Sequence, residues 1–417
     1  MTLPGLQVMP AGELGYFKGG SGFPVKFQGL GSGDLPFFKV SDMNKPGNEL
    51  YMRTANNYVS EAQRKSMGAV RIPAGAIVFA KVGAAVFLER KRILAQDSCI
   101  DNNMAAFVVD RARVDIRFAH YLLCDFRMSS LVATTALPSL NGTQLRAIPL
   151  RLPSAIDVQL QIVEALADAD DLVASLERLI AKKRAIKQGM MQELLTGKTR
   201  LGAFAEPWKT VRLGDCVKYV KTTALSRAQL DDTSSVRYLH YGDIHANASA
   251  FLDAARQIMP RARRELIGSA ARLEVGDVVF ADASEDAAGV GKSVEIASVP
   301  SAGLIAGMHT IAARFDKSVL ADGFKGYLQF VPNFRNTLLR FAAGTKVLAT
   351  AGSYISGVEL RLPSTVEQQF IANALHDADA EIEALERRLK TTRNIKQGMM
   401  QELLTGRTRL IEKEVAA

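Results

Sequence analysis

Long apolar runs are missing from this chain: none approaches the ~18 residues a membrane-spanning helix needs. Cysteine is scarce. The three present, Cys99, Cys124 and Cys216, form no C-x-x-C pair. That pattern excludes a disulfide framework and a cysteine zinc site, and it predicts a reducing, cytoplasmic location. The five histidines (His120, His240, His245, His309 and His376) show no metal-ligand spacing, and no H-E-x-x-H occurs, so no metal is expected. The first twenty residues lack a basic stretch followed by an apolar one, so no secretory signal is expected. Charge of one sign is only modestly in excess, with 52 Lys and Arg against 43 Asp and Glu, a net +9. This permits nucleic-acid binding without requiring it. A hydrophobic content of 48% with 23% charged residues describes an ordinary folded chain. At roughly 100–200 residues per domain, the length allows two to four domains.

Catalytic signatures are missing as well. Gly289-Val290-Gly291-Lys292-Ser293 ends like a phosphate-binding loop, but the first glycine position of that motif is Asp286. The following Val294-Glu295-Ile296 reads as a strand where phosphate binding needs a helix N-terminus. Phe27-Gln28-Gly29-Leu30-Gly31 resembles a methyltransferase glycine turn, yet Pro36 arrives before any helix pattern. Glu89-Arg90-Lys91 is a lone E-x-K, common on charged surfaces. No residue pattern supplies a catalytic centre.

What is present is a duplication. Residues 186–201 read IKQGMMQELLTGKTRL and residues 395–410 read IKQGMMQELLTGRTRL, agreeing at fifteen of sixteen positions with an offset of 209. Upstream, residues 151–154 recur at 361–364 and residues 75–80 are answered by 276–281. The chain is therefore a globular part followed by a helical tail, written twice. In the tails, Val163, Leu166, Ala169, Val173, Leu176 and Ile180, and likewise Leu375, Ala378, Ile382, Leu385 and Leu389, recur at three and four. That is the seam of a coiled coil, expected from Ile162 onward. Acidic residues open each helix and basic ones follow, as the helix dipole favours. Gly197 and Gly406 stand where a left-handed residue would end each helix. The globular parts read as mixed α/β, with strands at 76–80, 105–109, 277–281 and 310–315 and a short helix over 118–131 and its counterpart. Strand order is not readable.

A two-lobed basic chain with polar, glycine-bearing loops suits DNA, where Lys and Arg meet phosphates and guanine and Asn meets adenine. The candidate contacts in the first lobe are Arg53, Asn56, Asn57, Arg64, Lys65, Lys81, Lys91, Arg92, Asn102 and Asn103. Those in the second are Lys221, Arg237, His240, Tyr241, His245, Lys292, Lys346 and Tyr354. Taken singly, each suits a solvated surface; as a set in two homologous lobes, they point to DNA.

The whole chain resembles the DNA-specificity (S) subunit of type I restriction–modification systems. The resemblance rests on the lobe–helix–lobe–helix duplication and the I-K-Q-G-M-M-Q-E-L-L-T-G-[KR] tails. Residues 35–43 (LPFFKVSDM), 238–245 (YLHYGDIH) and 208–215 (WKTVRLGD) support it. The first lobe lacks the tryptophan and reads 8–15 at its entry instead. The resemblance implies an α+β fold: two mixed α/β target-recognition domains separated by two long antiparallel coiled-coil helices in a pseudo-two-fold arrangement. The domains would be 1–154 and 202–364, with spacer helices in 155–201 and 365–417. Each recognition domain would read one half of a bipartite, asymmetric double-stranded DNA site. The helices would dock two modification (M) methyltransferase subunits, and two restriction (R) motor–nuclease subunits could join. S-adenosylmethionine would belong to the M partner, ATP and Mg to the R partner, and no cofactor to this chain. Gln188, Gly189, Met190, Gln192 and Glu193, with Gln397, Gly398, Met399, Gln401 and Glu402, are the candidate docking residues. The mid-helix glycines cost roughly 1 kcal/mol each against Ala, which marks them as close-approach points for a partner. The alternatives are a stand-alone nuclease or methyltransferase, or the specificity subunit of a methylation-only system.

Overall fold

The strand that opens each half of the chain pairs with the strand that closes it. Leu6–Pro10 runs antiparallel to Pro149–Pro153, and Lys209–Arg212 to Glu359–Leu362. The computed structural model describes residues 6–132, 138–202, 204–342 and 348–408. The opening strand of lobe one thus forms without the tryptophan that lobe two carries at its entry.

Between these pairs each lobe builds a five-stranded mixed sheet around two central strands. In lobe one they are β1 (Ile77–Ala80) and β2 (Met104–Val109); in lobe two, β3 (Val278–Ala281) and β4 (Thr310–Phe315). All four residues of β1, and all four of β3, are buried. They therefore read as continuous apolar runs rather than an alternation. The sheet order is Gly15–Gly19, β2, β1, Lys91–Leu94, Tyr51–Met52 in lobe one. In lobe two it is Val217–Val220, β4, β3, Ser293–Ser298, Phe251–Asp253. The last pair is parallel in each sheet and the other neighbours are antiparallel. Even the register repeats: Ile77 faces Phe107, and Val278 faces Ala313.

The helix expected over 118–131 is broken. Ile116–Asp125 is an α-helix whose N-cap Asp115 accepts the Arg117 and Phe118 amides, and a separate 3-10 turn follows at Met128–Leu131. Lobe two has the opposite order, a 3-10 turn at Lys325–Phe330 and then a helix at Pro332–Phe341. Pro332 holds the preceding Val331 extended, which separates the two segments.

The tails are α1 (Ile156–Leu194, 39 residues) and α2 (Thr365–Leu404, 40 residues), each ~60 Å long at 1.5 Å per residue. Both start well before the apolar seam, because their first turns are anchored by a buried polar residue. Gln159 donates to the carbonyls of Arg113 and Pro153 and accepts the Asp115 amide. Gln368 does the same with Val319, Pro363 and Ala321. At the far ends, Gly197 and Gly406 take φ of 71° and 68°. The next amides, of Lys198 and Arg407, return to the Glu193 and Glu402 carbonyls, closing each helix in the expected left-handed turn.

The chain forms two compact units, Met1–Glu177 with Arg388–Ala417, and Arg178–Arg387. Each combines one lobe with part of both helices. In the first unit, Ile162 and Leu166 of α1 and Met400, Leu403 and Leu404 of α2 join the lobe-one core around Phe107 and Leu150. In the second, Ile371 and Leu375 of α2 and Leu194 and Leu195 of α1 join that of lobe two around Phe324 and Leu360. Each such Leu or Ile contributes roughly 1.5–3 kcal/mol by leaving water. Within each unit the helical segments run antiparallel. Asp170 and Glu177 pair with Lys396 and Arg393, while Lys183 and Lys187 pair with Glu381 and Asp379. One lobe tyrosine completes each pairing. Tyr121 donates to Asp170 at 2.6 Å, and Tyr327 to Asp379 at 3.3 Å.

Candidate nucleic-acid interface

The polar residues that could meet DNA sort into free and committed groups. In lobe one Arg53, Asn56, Lys65, Asn102 and Asn103 are exposed and Lys81 is half-buried. Arg53 lies over the Tyr51 ring at 5.4 Å, and Asn56 accepts a bond from Lys45 at 2.7 Å. Lys91 belongs instead to the interior. It is 1% exposed, 2.5 Å from Glu89 and bonded to the Phe126 carbonyl. Asn57, 7% exposed, accepts the Gly29 amide at 2.8 Å. Arg64 forks onto Glu61 and donates to the Ala69 carbonyl. Arg92 donates to the Lys91 carbonyl, and burial pulls its pKa down. For Lys91, Asn57, Arg64 and Arg92 the expectation of DNA contact is therefore corrected to a scaffold role. The burial of ion pairs and amides that polarity alone suggests to be exposed is the reason.

In lobe two, Lys221 is exposed, whereas Arg237 is spent on the carbonyls of Ala254, Ala255 and Gln257. Lys292 donates to the His245 carbonyl at 2.6 Å, so the apparent phosphate-loop lysine is tied into the protein, ahead of the strand Ser293–Ser298. Arg237 and Lys292 are likewise corrected. Tyr354 stacks on Phe341 with centroids 5.4 Å apart. Lys346 lies outside the described residues.

One group converges. His240, Tyr241 and His245 lie on or at the start of the short helix Tyr241–Ala246, which is capped by the His240 Nδ1 accepting the Gly242 amide at 3.1 Å. Burial holds the His240 pKa below its ordinary value. The Tyr241 ring stands edge-on to His245 and His309, at 6.1 and 5.5 Å. Tyr241, His245 and His309 line a cleft of about 570 Å³ with Ser284, Glu285 and Asp286. Sequence reasoning missed His309 and its neighbour Asp282, 3.2 Å away. The duplication contained the signal: His309 precedes β4 just as the candidate Asn103 precedes β2.

On the helices, Gln188, Gln192, Gln397 and Gln401 are exposed. A side chain at Gly189 or Gly398 would meet nothing within 4 Å, so both glycines face open space. Met190 and Met399 pack partly against their own cores, and Glu193 and Glu402 accept from Thr199 and Thr408. For these four the expectation of a free docking side chain is corrected: they also hold the helix ends.

A lobe-and-helix scaffold repeated within one chain, with a different polar face on each lobe, defines a duplicated recognition protein. Residues 5–186 match the family described as Type I restriction modification DNA specificity domain. A protein of Methanocaldococcus jannaschii assigned as the type I restriction enzyme MjaX specificity subunit is 22% identical over 386 residues, 86% of this chain and 84% of that one. The S subunit of a type I restriction–modification system from M. genitalium shares the fold with a TM-score of 0.57 at 12% identity, covering 95% of this chain and 96% of that one. A second structure, described as the basis of complex assembly and conformational transition of the type I R-M system, gives 0.60 at 15% identity, over 98% of this chain and 100% of that one. The family match thus covers the first lobe and most of α1, and the likeness to the M. jannaschii specificity subunit extends over most of the chain. No helix among the described residues is long and apolar enough to cross a membrane.

Proposed function

We propose that this chain is the DNA-reading, non-catalytic subunit of a type I complex, each lobe reading one half of a bipartite, asymmetric site. Its exposed helix positions would dock two modification subunits, which bring S-adenosylmethionine and the methyl-transfer chemistry. Restriction subunits, where the system has them, bring ATP and Mg. The carrying observation is a contrast within one chain. The lobe faces have diverged, whereas exposed Gln188 and Gln192 are matched by Gln397 and Gln401. Packing inside the chain does not require identity at exposed positions; two equivalent partners do.

The test is native mass of the chain with saturating modification subunit, followed by methylation mapping on genomic DNA. Two modification subunits per chain and a bipartite methylated motif are expected. A saturated one-to-one complex overturns the paired docking surfaces, and methyl transfer by the purified chain alone overturns the non-catalytic role.

A further inference from the structure

The two lobes share a backbone socket whose side-chain chemistry is inverted. In lobe one the Lys81 amide donates to the Asn103 carbonyl at 2.8 Å, and the Leu140 amide to the Lys81 carbonyl at 2.8 Å. In lobe two the Asp282 amide donates to the His309 carbonyl at 3.1 Å, and the Thr350 amide to the Asp282 carbonyl at 2.7 Å. The strands leading in agree too: the Asp101 amide meets the Phe38 carbonyl, and the Gly307 amide that of Leu239. Lys81 therefore occupies the place of Asp282, and Asn103 that of His309.

The lobe-two socket opens on the histidine–tyrosine cleft and is rich in acceptors. The Asp282 Oδ1 is withdrawn from solvent and has no hydrogen-bond partner, although His309 Nδ1 stands 3.2 Å away, within ion-pair reach. The His245 Nε2 lies 2.9 Å from the Ala283 carbonyl, so that nitrogen carries a proton and donates to it. Glu285 and Asp286 are exposed at the rim. The loop is fixed before any ligand arrives. His309 holds a left-handed φ of 57°, and the Met308 amide donates to the buried Tyr238 hydroxyl at 2.7 Å. A side chain at Gly307 would come within 2.2 Å of the Tyr238 ring. In lobe one the Lys81 ammonium, which can only donate, has no hydrogen-bond or ion-pair partner among the described residues.

Resting on the reading that each lobe addresses one half-site, we infer that Lys81 and Asp282 are equivalent specificity-determining positions with opposite demands. Lys81 addresses a base edge that presents acceptors, guanine O6 and N7. Asp282, with His309 beside it, addresses an exocyclic amino group, that of cytosine N4. A carboxylate fixed beside the cleft, next to Ala283 and His309 of its lining, rejects a base edge that offers only acceptors, because the two would face each other without a donor between them.

The experiment uses the full chain bound to its modification subunit and a DNA library randomised in both half-sites, read by methylation. Asp282→Lys combined with His309→Asn imports the lobe-one socket. It should shift the preferred base at one position of one half-site by roughly tenfold or more, with the other half-site unchanged. Lys81→Asp should do the converse in the other half. His309→Asn alone suits the left-handed backbone and keeps the question open to measurement if the double variant does not fold; it should relax discrimination at that same lobe-two position. Unchanged preferences at wild-type rates overturn the inference. So does an equal loss at all sequences with a smaller salt dependence, which marks a phosphate contact. A wild-type complex with no bipartite motif would instead overturn the half-site reading itself.

Discussion

Lobe one and lobe two agree in the polar side chains that anchor the long helices and differ in those at the outer loops. Gln159 and Gln368 make the same three bonds at the start of each long helix. Asp42 and Asp243 accept the equivalent amides of Lys39 and His240. Tyr121 and Tyr327 reach matching aspartates. At the rim, by contrast, Lys81 answers Asp282 and Asn103 answers His309. A buried amide that loses its partner costs ~1–3 kcal/mol, so the inner set tolerates little change. The outer set does not hold the helices in place, and on the proposed function its divergence within a single chain is where two different half-sites would be met.

The strongest way to break this comparison is to exchange residues 1–150 for the lobe of another specificity subunit. Methylation mapping should show one half of the motif replaced and the other untouched; altered bases in both halves would mean the lobes do not read separately. Next in size is a change of helix length. Inserting four residues at the end of α1, between Leu194 and Gly197, would disturb Leu194 and Leu195, both 3% exposed in the lobe-two core. The insertion belongs after Glu177 in α1, matched after Arg387 in α2, where the two units divide. It adds ~6 Å and about one turn to each helix, and should lengthen the unread spacer by roughly two base pairs with both half-sites kept. A two-residue insertion rotates the seam by about 200° and should abolish assembly. An unchanged spacer with full activity would show that the helices do not set the distance.

The smallest effect separates the lobes by pH. Burial in lobe one pushes His120 down to about 4, its Nε2 lying 3.1 Å from the Lys91 carbonyl. The unfolded imidazole, near 6.5, binds a proton that the folded one refuses. This contribution is therefore complete above that value and is lost as pH falls toward 4. In lobe two burial lifts Glu295 to about 7 from an ordinary 4.5, against the pull of the Gly323 and Gly326 amides. That contribution is complete below 4.5 and is lost as pH rises through 7. Moving from pH 7.5 to 5 should destabilise lobe one and stabilise lobe two, by about 2 kcal/mol each. Hydrogen exchange resolved by lobe checks the opposite signs, and His120→Gln and Glu295→Gln should each silence one of them.

The long helices, their left-handed ends and the duplication were legible because each is a local pattern: spacing, a terminal glycine, an exact repeat of letters. The helix starts were not, since Gln159 and Gln368 interrupt any apolar periodicity and acquire meaning only from carbonyls far along the chain. Lys91 misled for the same reason. Its charge argues for the surface, and only the fold supplies Glu89 and the Phe126 carbonyl around it. Of the candidate interface, the sequence grouped His240, Tyr241 and His245 correctly as neighbours. His309 comes to them across the sheet, through a loop held by Tyr238, which no spacing rule encodes.

The first unit is not contiguous in the chain, and that bears on how the protein is made. Its core lacks Met400, Leu403 and Leu404 until the last stretch of α2 exists. During synthesis at ~5–20 residues per second, lobe one must wait tens of seconds, with the apolar face that receives those side chains open, while all of lobe two is translated. The second unit, Arg178–Arg387, is an unbroken segment and can close first. A chain cut short by premature termination near its end would therefore carry a finished second unit and a first unit with an unfilled core. The damage from a lost C-terminus would fall on the residues translated earliest.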